Sequence, residues 1–154
     1  MEKDKKIALV AHDNMKKDLA EWVEWNWAKL MNYPLVCTGT TGKIVSKSIK
    51  AHLKTAATPN ITLLKSGPLG GDQQMGSLIA DGKIAALIFF WDPMSAQPHD
   101  VDVKALLRLA TLYNIPTAIN RTSADFIISS PLFEAEDYTV VPHDYTSYIN
   151  RILK

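Results

Sequence analysis

Residues Ile84-Ala-Ala-Leu-Ile-Phe-Phe-Trp91 make the longest apolar run in the chain. The run is far too short to cross a bilayer, and it is unbroken rather than alternating, which is what a strand buried on both faces requires. Four shorter β-rich runs accompany it: Ile7-Ala-Leu-Val-Ala11, Leu35-Val-Cys37, Ile61-Thr-Leu-Leu64 and Pro116-Thr-Ala-Ile119. Helical periodicity fills the gaps between them. Met15, Leu19, Trp22, Val23, Trp27 and Leu30 form one apolar stripe behind Asp13, the expected cap, and Trp25 falls off that stripe. A second helix is expected from about Gly42 to His52 and a third from Gln73 to Asp81, ended by Gly82 as the residue after the cap. A fourth carries Val103, Leu106, Leu107, Ala110 and Tyr113, and Pro116 forbids its continuation. Further turns are expected around Ser123–Ser129 and Tyr145–Leu153, with a last short strand at Tyr138–Val141.

Strands alternating with helices over short connections predict parallel pairing and right-handed crossovers, with helices on both faces. The expected architecture is an α/β fold, a three-layer α/β/α sandwich on a mainly parallel five-stranded sheet, flavodoxin-like or Rossmann-like. At 154 residues, with no repeat, linker or low-complexity tract, residues 1–154 read as one domain.

A hydrophobic fraction of 47% with 21% charged residues fits a globule rather than a disordered or fibrous chain. Seventeen basic against 16 acidic residues leave a net charge of +1, so no broad field exists for nucleic acid or an anionic membrane. Any anion site must be local. The single Cys37 excludes an internal disulfide, and the charged start Met1-Glu-Lys-Asp-Lys-Lys6 has no signal-peptide core behind it, so a cytoplasmic location is expected.

In sheets of this class ligands bind beyond the carboxyl ends of the strands. There the polar residues collect: His12-Asp13, Thr38-Gly-Thr-Thr-Gly42, Ser66 to Asp72, Asp92, and Asn120-Arg121. The threonine–glycine segment opens a helix with three hydroxyls and free N–H groups, which suits a phosphate, although an ordinary threonine-capped turn reads the same way. It matches neither a Walker loop nor a dinucleotide fingerprint. Lys16, one turn past His12-Asp13, points a cation at this rim or stands as a solvated surface lysine.

Asp72 has two readings. It either caps its own helix, spending its oxygens on N–H groups, or it turns a partly desolvated carboxylate into the site as a base. The glycines before it allow close backbone approach to a ligand and weigh toward catalysis. His99, in Pro98-His-Asp-Val-Asp102, offers an imidazole that could shuttle a proton, with Asp100 or Asp102 close enough to orient it and one of the two read as a cap of the following helix. His52 and His143 read as surface residues. The histidines and acids show no metal-ligand spacing, so no metal site is expected. Core packing accounts for Trp22 and Trp27, whereas Trp25 reads as a subunit contact or a lone exposed indole.

Taken together, Ala8-Leu-Val-Ala-His-Asp13, Thr38-Gly-Thr-Thr-Gly42, Ser66-Gly-Pro-Leu-Gly-Gly-Asp-Gln-Gln74, Phe89-Phe-Trp-Asp-Pro93 and Pro98-His-Asp100 resemble the methylglyoxal synthase family over nearly the whole chain. Lys104-Ala-Leu-Leu-Arg-Leu-Ala110 and Ala124-Asp-Phe-Ile-Ile128 extend the match. The resemblance implies a cofactor-free lyase, usually a homohexamer, that converts dihydroxyacetone phosphate to methylglyoxal and inorganic phosphate, the phosphate being also a possible inhibitor. It implies Asp72 as base and His99 as proton-transfer partner. His12, Lys16, Thr38, Gly39, Thr40, Thr41, Ser66, Gly67 and, less specifically, Arg151 would bind substrate, with Asp13, Asp92 and Asp102 in support. The rival class is an allosteric ligand-binding module like that of carbamoyl phosphate synthetase, which needs the phosphate loop but no base. A flavodoxin or response-regulator reading rests on fold analogy alone.

Overall fold

The computed structural model describes residues 2, 4–53 and 58–151. Five parallel strands form one sheet: β1 (Lys6–Ala11), β2 (Leu35–Cys37), β3 (Ile61–Leu63), β4 (Ile84–Phe90) and β5 (Thr117–Ala118), in the order β3-β2-β1-β4-β5. Its helices are α1 (Lys16–Leu30), α2 (Gly39–Lys50), α3 (Gly71–Ala80), α4 (Asp100–Leu112), α5 (Arg121–Ser129) and the short α6 (Pro131–Glu134) and α7 (Thr146–Ile149). This is the expected three-layer sandwich, and the strand order is that of the Rossmann type, with the chain reversing its direction of winding between β1 and β4.

Side chains alternate across the strands and so supply two cores. Ile7 and Leu9 of β1 face Leu19, Trp22, Val23 and Leu30 of α1, Val45 and Ile49 of α2, and Ala124 and Ile128 of α5. Ala8 and Val10 face Met75 and Ile79 of α3 and Val103, Leu106 and Ala110 of α4. All seven residues of β4 are buried, because helices cover both of its faces.

The helix starts differ from expectation. Asp13 does not cap α1: residues Asp13–Met15 form a 3-10 turn, α1 begins at Lys16, and the Asp13 carboxylate pairs with the Lys16 ammonium instead. The second helix begins at Gly39, three positions before Gly42, and the third at Gly71, which makes Asp72 its second residue rather than its cap. Backbone packing sets both starts. A Cβ on Gly39, where φ is +33°, would lie 2.7 Å from the Ser66 Cα, and one on Gly71 would lie 2.1 Å from the Lys65 carbonyl oxygen. Only glycine lets these two loops close on each other. Gly82 ends α3 as expected, at φ +68°, with the Lys83 N–H returning 2.9 Å to the Leu78 carbonyl in a Schellman turn.

No strand forms at Tyr138–Val141. With two paired residues, β5 is too short an edge to template a sixth strand. The segment crosses the amino end of the sheet instead, where Asn114 Nδ2 donates to the Val141 carbonyl at 2.9 Å and the Tyr145 hydroxyl to the Leu112 carbonyl at 3.1 Å. The expected Tyr145–Leu153 turns are helical only over Thr146–Ile149, and Ile152 and Leu153 lie outside the described residues. Trp22 is buried and donates from Nε1 to Asp125 at 2.9 Å, Trp27 is half-buried and stacked on His52, and Trp25 is 87% exposed.

Candidate active site

The strand-end loops enclose a cleft of about 310 Å³ at the reversal between β1 and β4. His12, the first residue after β1, has an extended backbone whose N–H donates to the Phe90 carbonyl at 3.2 Å, tying it to the end of β4. Its ring packs edge-on against Phe89 and is almost wholly buried. The backbone N–H of Asp92 donates to His12 Nδ1 at 3.1 Å. Nδ1 is therefore the acceptor, and in the neutral ring the proton resides on Nε2. Among the described residues Nε2 is the buried side-chain nitrogen without a hydrogen-bond partner, on a side chain that lines the cleft. Burial and the neighbouring His99 hold the His12 imidazole below its ordinary pKa, against the opposing pull of Asp72, Asp92 and Asp100. His12 is a neutral donor with a free N–H.

The opposite wall comes from the first turn of α2. Thr38 and Thr41 are buried, and the N–H groups of Thr40 and Thr41 have no carbonyl four residues back inside the helix. Lys16 brings its ammonium onto Thr40 Oγ1 while bonding Asp13, so a cation stands at a helix N-terminus. That hydrogen bond holds the Asp13 carboxyl below the usual range. A positive helix end, hydroxyls and an ammonium together form an anion subsite.

Beyond β3, Ser66 leads into a 3-10 turn over Gly67–Leu69, and Gly70, left-handed at φ +96°, delivers the chain into α3. Asp72 is 3% exposed and makes no capping bond. Its Oδ2 meets His99 Nδ1 at 2.6 Å, and no other side-chain partner of Asp72 occurs among the described residues. The two readings of Asp72 are thereby separated: its carboxylate turns into the cleft. His99 occupies the N-cap position of α4, yet its ring is held by Asp72 and not, as expected, by Asp100 or Asp102. Asp102 lies in the groove between α3 and α4, outside the cleft. Gly67 lies against the pair, for a Cβ there would fall 2.6 Å from His99 Cε1 and 3.0 Å from Asp72 Oδ2.

Of the expected site residues, His12, Asp13, Lys16, Thr38, Gly39, Thr40, Thr41, Ser66, Gly67, Asp72 and His99 line this one cleft. Asp92 sits behind His12. Its carboxylate accepts from Asn14 Nδ2 at 2.7 Å and from the Met94 N–H at 2.9 Å, which keeps its pKa below the ordinary carboxylate range. Arg151 is not brought in. It is exposed on the C-terminal tail, its guanidinium 3.4 Å over the Tyr148 ring and donating to the Tyr148 carbonyl. Gln97 and Phe89 line the cleft without having been singled out, and Asn14 joins the loops after β1 and β4. Cys37 is buried at the end of β2, its thiol pushed up to about 12, so it is no nucleophile. Among the described residues no three His, Cys, Asp or Glu side chains gather to hold a metal ion.

The family model described as an MGS-like domain matches residues 19–119, which take in Thr38 to Thr41, Ser66 to Asp72 and His99. The chain is 55% identical to the methylglyoxal synthase of Maridesulfovibrio salexigens, over 99% of this chain and 100% of that one. The chain belongs to the methylglyoxal synthase family. The methylglyoxal synthase of Erwinia tasmaniensis is 53% identical over 97% of this chain and 93% of its own. A crystal structure of the methylglyoxal synthase from Elizabethkingia anophelis superposes with a TM-score of 0.87 at 46% identity, covering 100% of this chain and 95% of that one. The methylglyoxal synthase fold is thus shared over the full length.

Proposed function

We propose that the chain is a lyase that converts dihydroxyacetone phosphate to methylglyoxal and inorganic phosphate, with Asp72 as the base. The observation that carries this reading is the buried Asp72–His99 pair, 2.6 Å apart, across the cleft from the Lys16 and Thr38–Thr41 anion subsite. A base without an anion site would have no means of holding a phosphorylated ketone in register, and an anion site without a base would only bind it.

In this mechanism Lys16, Thr38, Gly39, Thr40 and Thr41, with Ser66 and Gly67, hold the phosphate, and Asp13 anchors Lys16. Asp72 takes a proton from the hydroxymethyl carbon, and the electron pair moves through the new C=C bond onto the carbonyl oxygen. The neutral Nε2–H of His12 donates to that oxygen as charge develops, a preorganised donor whose effect is strongest where water is excluded. His99, held at Nδ1 by Asp72, moves the proton between the enediolate oxygens. The electron pair then expels phosphate, breaking the carbon–oxygen bond. Loss is favoured when that bond stands out of the enediolate plane, an orientation set by the anion subsite. The enol released regains a proton at its methylene carbon and becomes methylglyoxal. Inorganic phosphate, as product, competes for the same subsite. No step calls for a metal or cofactor.

We also propose that residues 1–154 form one domain, that the protein is cytoplasmic, and that it assembles as a homohexamer in which Arg151 approaches a phosphate. The single buried thiol supports a reducing compartment, and exposed Trp25, Met94, Val101 and Phe126 support burial against further copies. None of the described helices is long and apolar enough to cross a membrane. The reaction is tested by incubating the purified protein with dihydroxyacetone phosphate and measuring phosphate and methylglyoxal together. Equal release of both is expected, and absence of both would overturn the reading.

A further inference from the structure

The proposed reaction asks His12 to donate from Nε2, and the surroundings of its other nitrogen contain a second, less obvious arrangement. An aspartate beside an imidazole ordinarily accepts a ring N–H and favours the charged ring. Asp92 does the reverse. Both oxygens of its carboxylate have donors, Asn14 Nδ2 on Oδ2 and the Met94 N–H on Oδ1, and what it presents to His12 Nδ1 is its own backbone N–H. Asn14 lies two residues past His12, in the 3-10 turn after β1, so one side-chain bond spans the two loops that meet at the reversal of the sheet.

We propose that Asn14 is a positioning residue that fixes the tautomer of His12: by holding the Asp92 carboxylate, it keeps Asp92 from accepting a proton on Nδ1 and leaves His12 neutral with its proton on Nε2. The inference rests on the reading of His12 as a neutral donor. The charged groups facing the ring are Asp92 from the loop after β4, Asp72 from α3, His99 and Asp100 from the start of α4, and Asp13 with Lys16 on its own segment. The carboxylates favour a charged ring, whereas burial and His99 oppose it. Freed from Asn14, the Asp92 carboxylate keeps its backbone donors at Met94 and Ser95 but loses its side-chain donor, its pull on the His12 ring grows, and the balance moves toward imidazolium. A charged His12 can still donate, but its positive charge attracts the Asp72 carboxylate and so opposes the transfer of a proton to it.

Asn14 is exposed, so its replacement removes a hydrogen bond rather than core packing. The test uses the full chain with Asn14→Ala and with Asn14→Asp, which keeps the shape and loses the N–H donor. The ¹⁵N spectrum of the His12 ring and the pH dependence of kcat/KM are read in each. In the wild type Nδ1 is expected unprotonated and Nε2 protonated through neutral pH. Both variants are expected to protonate His12 about one pH unit higher, so that the acid limb of kcat/KM moves up by that unit, the loss approaching tenfold only below the pH at which the wild-type ring protonates, and kcat/KM is retained near pH 8. An unchanged ring spectrum and unchanged acid limb in both variants would overturn the role of Asn14. The spectrum needs no substrate, so a wild type that fails to release methylglyoxal overturns the reaction without touching the tautomer.

Discussion

The two ends of the sheet carry cavities of similar origin and opposite character. At the carboxyl end the 310 Å³ cleft gathers His12, Thr38, Thr41, Asp72 and His99, all buried, with Asp92 directly behind; elsewhere the polar groups of buried Trp22, Tyr33 and Ser48 each have a hydrogen-bond partner. At the amino end a cavity of about 150 Å³ is lined by Ile79, Ile84, Ala85, Ile115, Val140 and tyrosines 113 and 138, and its charges, Glu2 and Lys5, pair with each other at 2.9 Å. Burying a polar group costs roughly 1–3 kcal/mol where it is unpaired. Among the described residues the fold accepts that cost at the carboxyl end, where the His12 Nε2 is left without a partner. Strand direction explains the asymmetry: in a parallel sheet the helix N-termini, with their free N–H groups, all open at the carboxyl end.

If the contrast is functional, changes at the carboxyl end should alter turnover and changes at the amino end stability. The largest effect in this set is expected from Gly67→Ala. The added methyl cannot coexist with His99 Cε1 at 2.6 Å, so the Asp72–His99 pair must shift, and about a hundredfold loss of kcat is expected from a displacement of this size. Steady-state kinetics on folded protein would check it, and unchanged kcat would show that the pair tolerates looser geometry.

Lys16→Ala removes the one side-chain ammonium or guanidinium that lines the cleft among the described residues. KM is expected to rise about 10- to 100-fold, the worth of a charge-assisted hydrogen bond, and inhibition by inorganic phosphate to weaken in parallel. If KM rises while phosphate inhibition does not change, the anion subsite lies elsewhere.

At the other end, Ile79→Ala should lower stability by about 2–4 kcal/mol through lost burial and a residual cavity, as read by denaturant unfolding, and leave kcat/KM of the folded enzyme intact. Loss of activity out of proportion to stability would mean that the two ends are coupled through α3. The smallest effect is a slope. The His12 pKa is lowered on folding, so the unfolded chain binds more protons below about pH 6.5, and stability falls as pH drops through that value. Chemical unfolding between pH 7 and 5 should show that decline in the wild type and a flatter profile in His12→Gln.

The strands were legible because unbroken apolar runs such as Ile84 to Phe90 have few other uses, and the rim was legible because the polar residues follow those runs directly. The helix starts were not. Thr38-Gly-Thr-Thr-Gly42 read locally as the turn into a helix starting near Gly42, and Gly70-Gly71 as a loop, whereas the contacts that set the earlier starts, Gly39 on Ser66 and Gly71 on Lys65, are tertiary. Capping preference misplaced Asp13 for the same reason. Asp72 and His99 were each recognisable, but they stand 27 positions apart, and local sequence offered Asp100 and Asp102 as nearer partners for the imidazole. Only the stacking of α3 beside α4 brings Asp72 to it. Asn14 carried no signal at all, since its role depends on an Asp92 that lies 78 positions away. Arg151, matched through a less specific tail, remains outside the cleft of its own chain.

The central claim is that Asp72 serves as the base and not as a helix cap. It is tested most directly by comparing wild type and Asp72→Asn on dihydroxyacetone phosphate, measuring kcat from methylglyoxal release and inorganic phosphate binding by calorimetry. The asparagine keeps the shape and cannot take the proton, so kcat is expected to fall by about a thousandfold while phosphate affinity is retained. Turnover near that of the wild type, with phosphate still bound, would contradict the account.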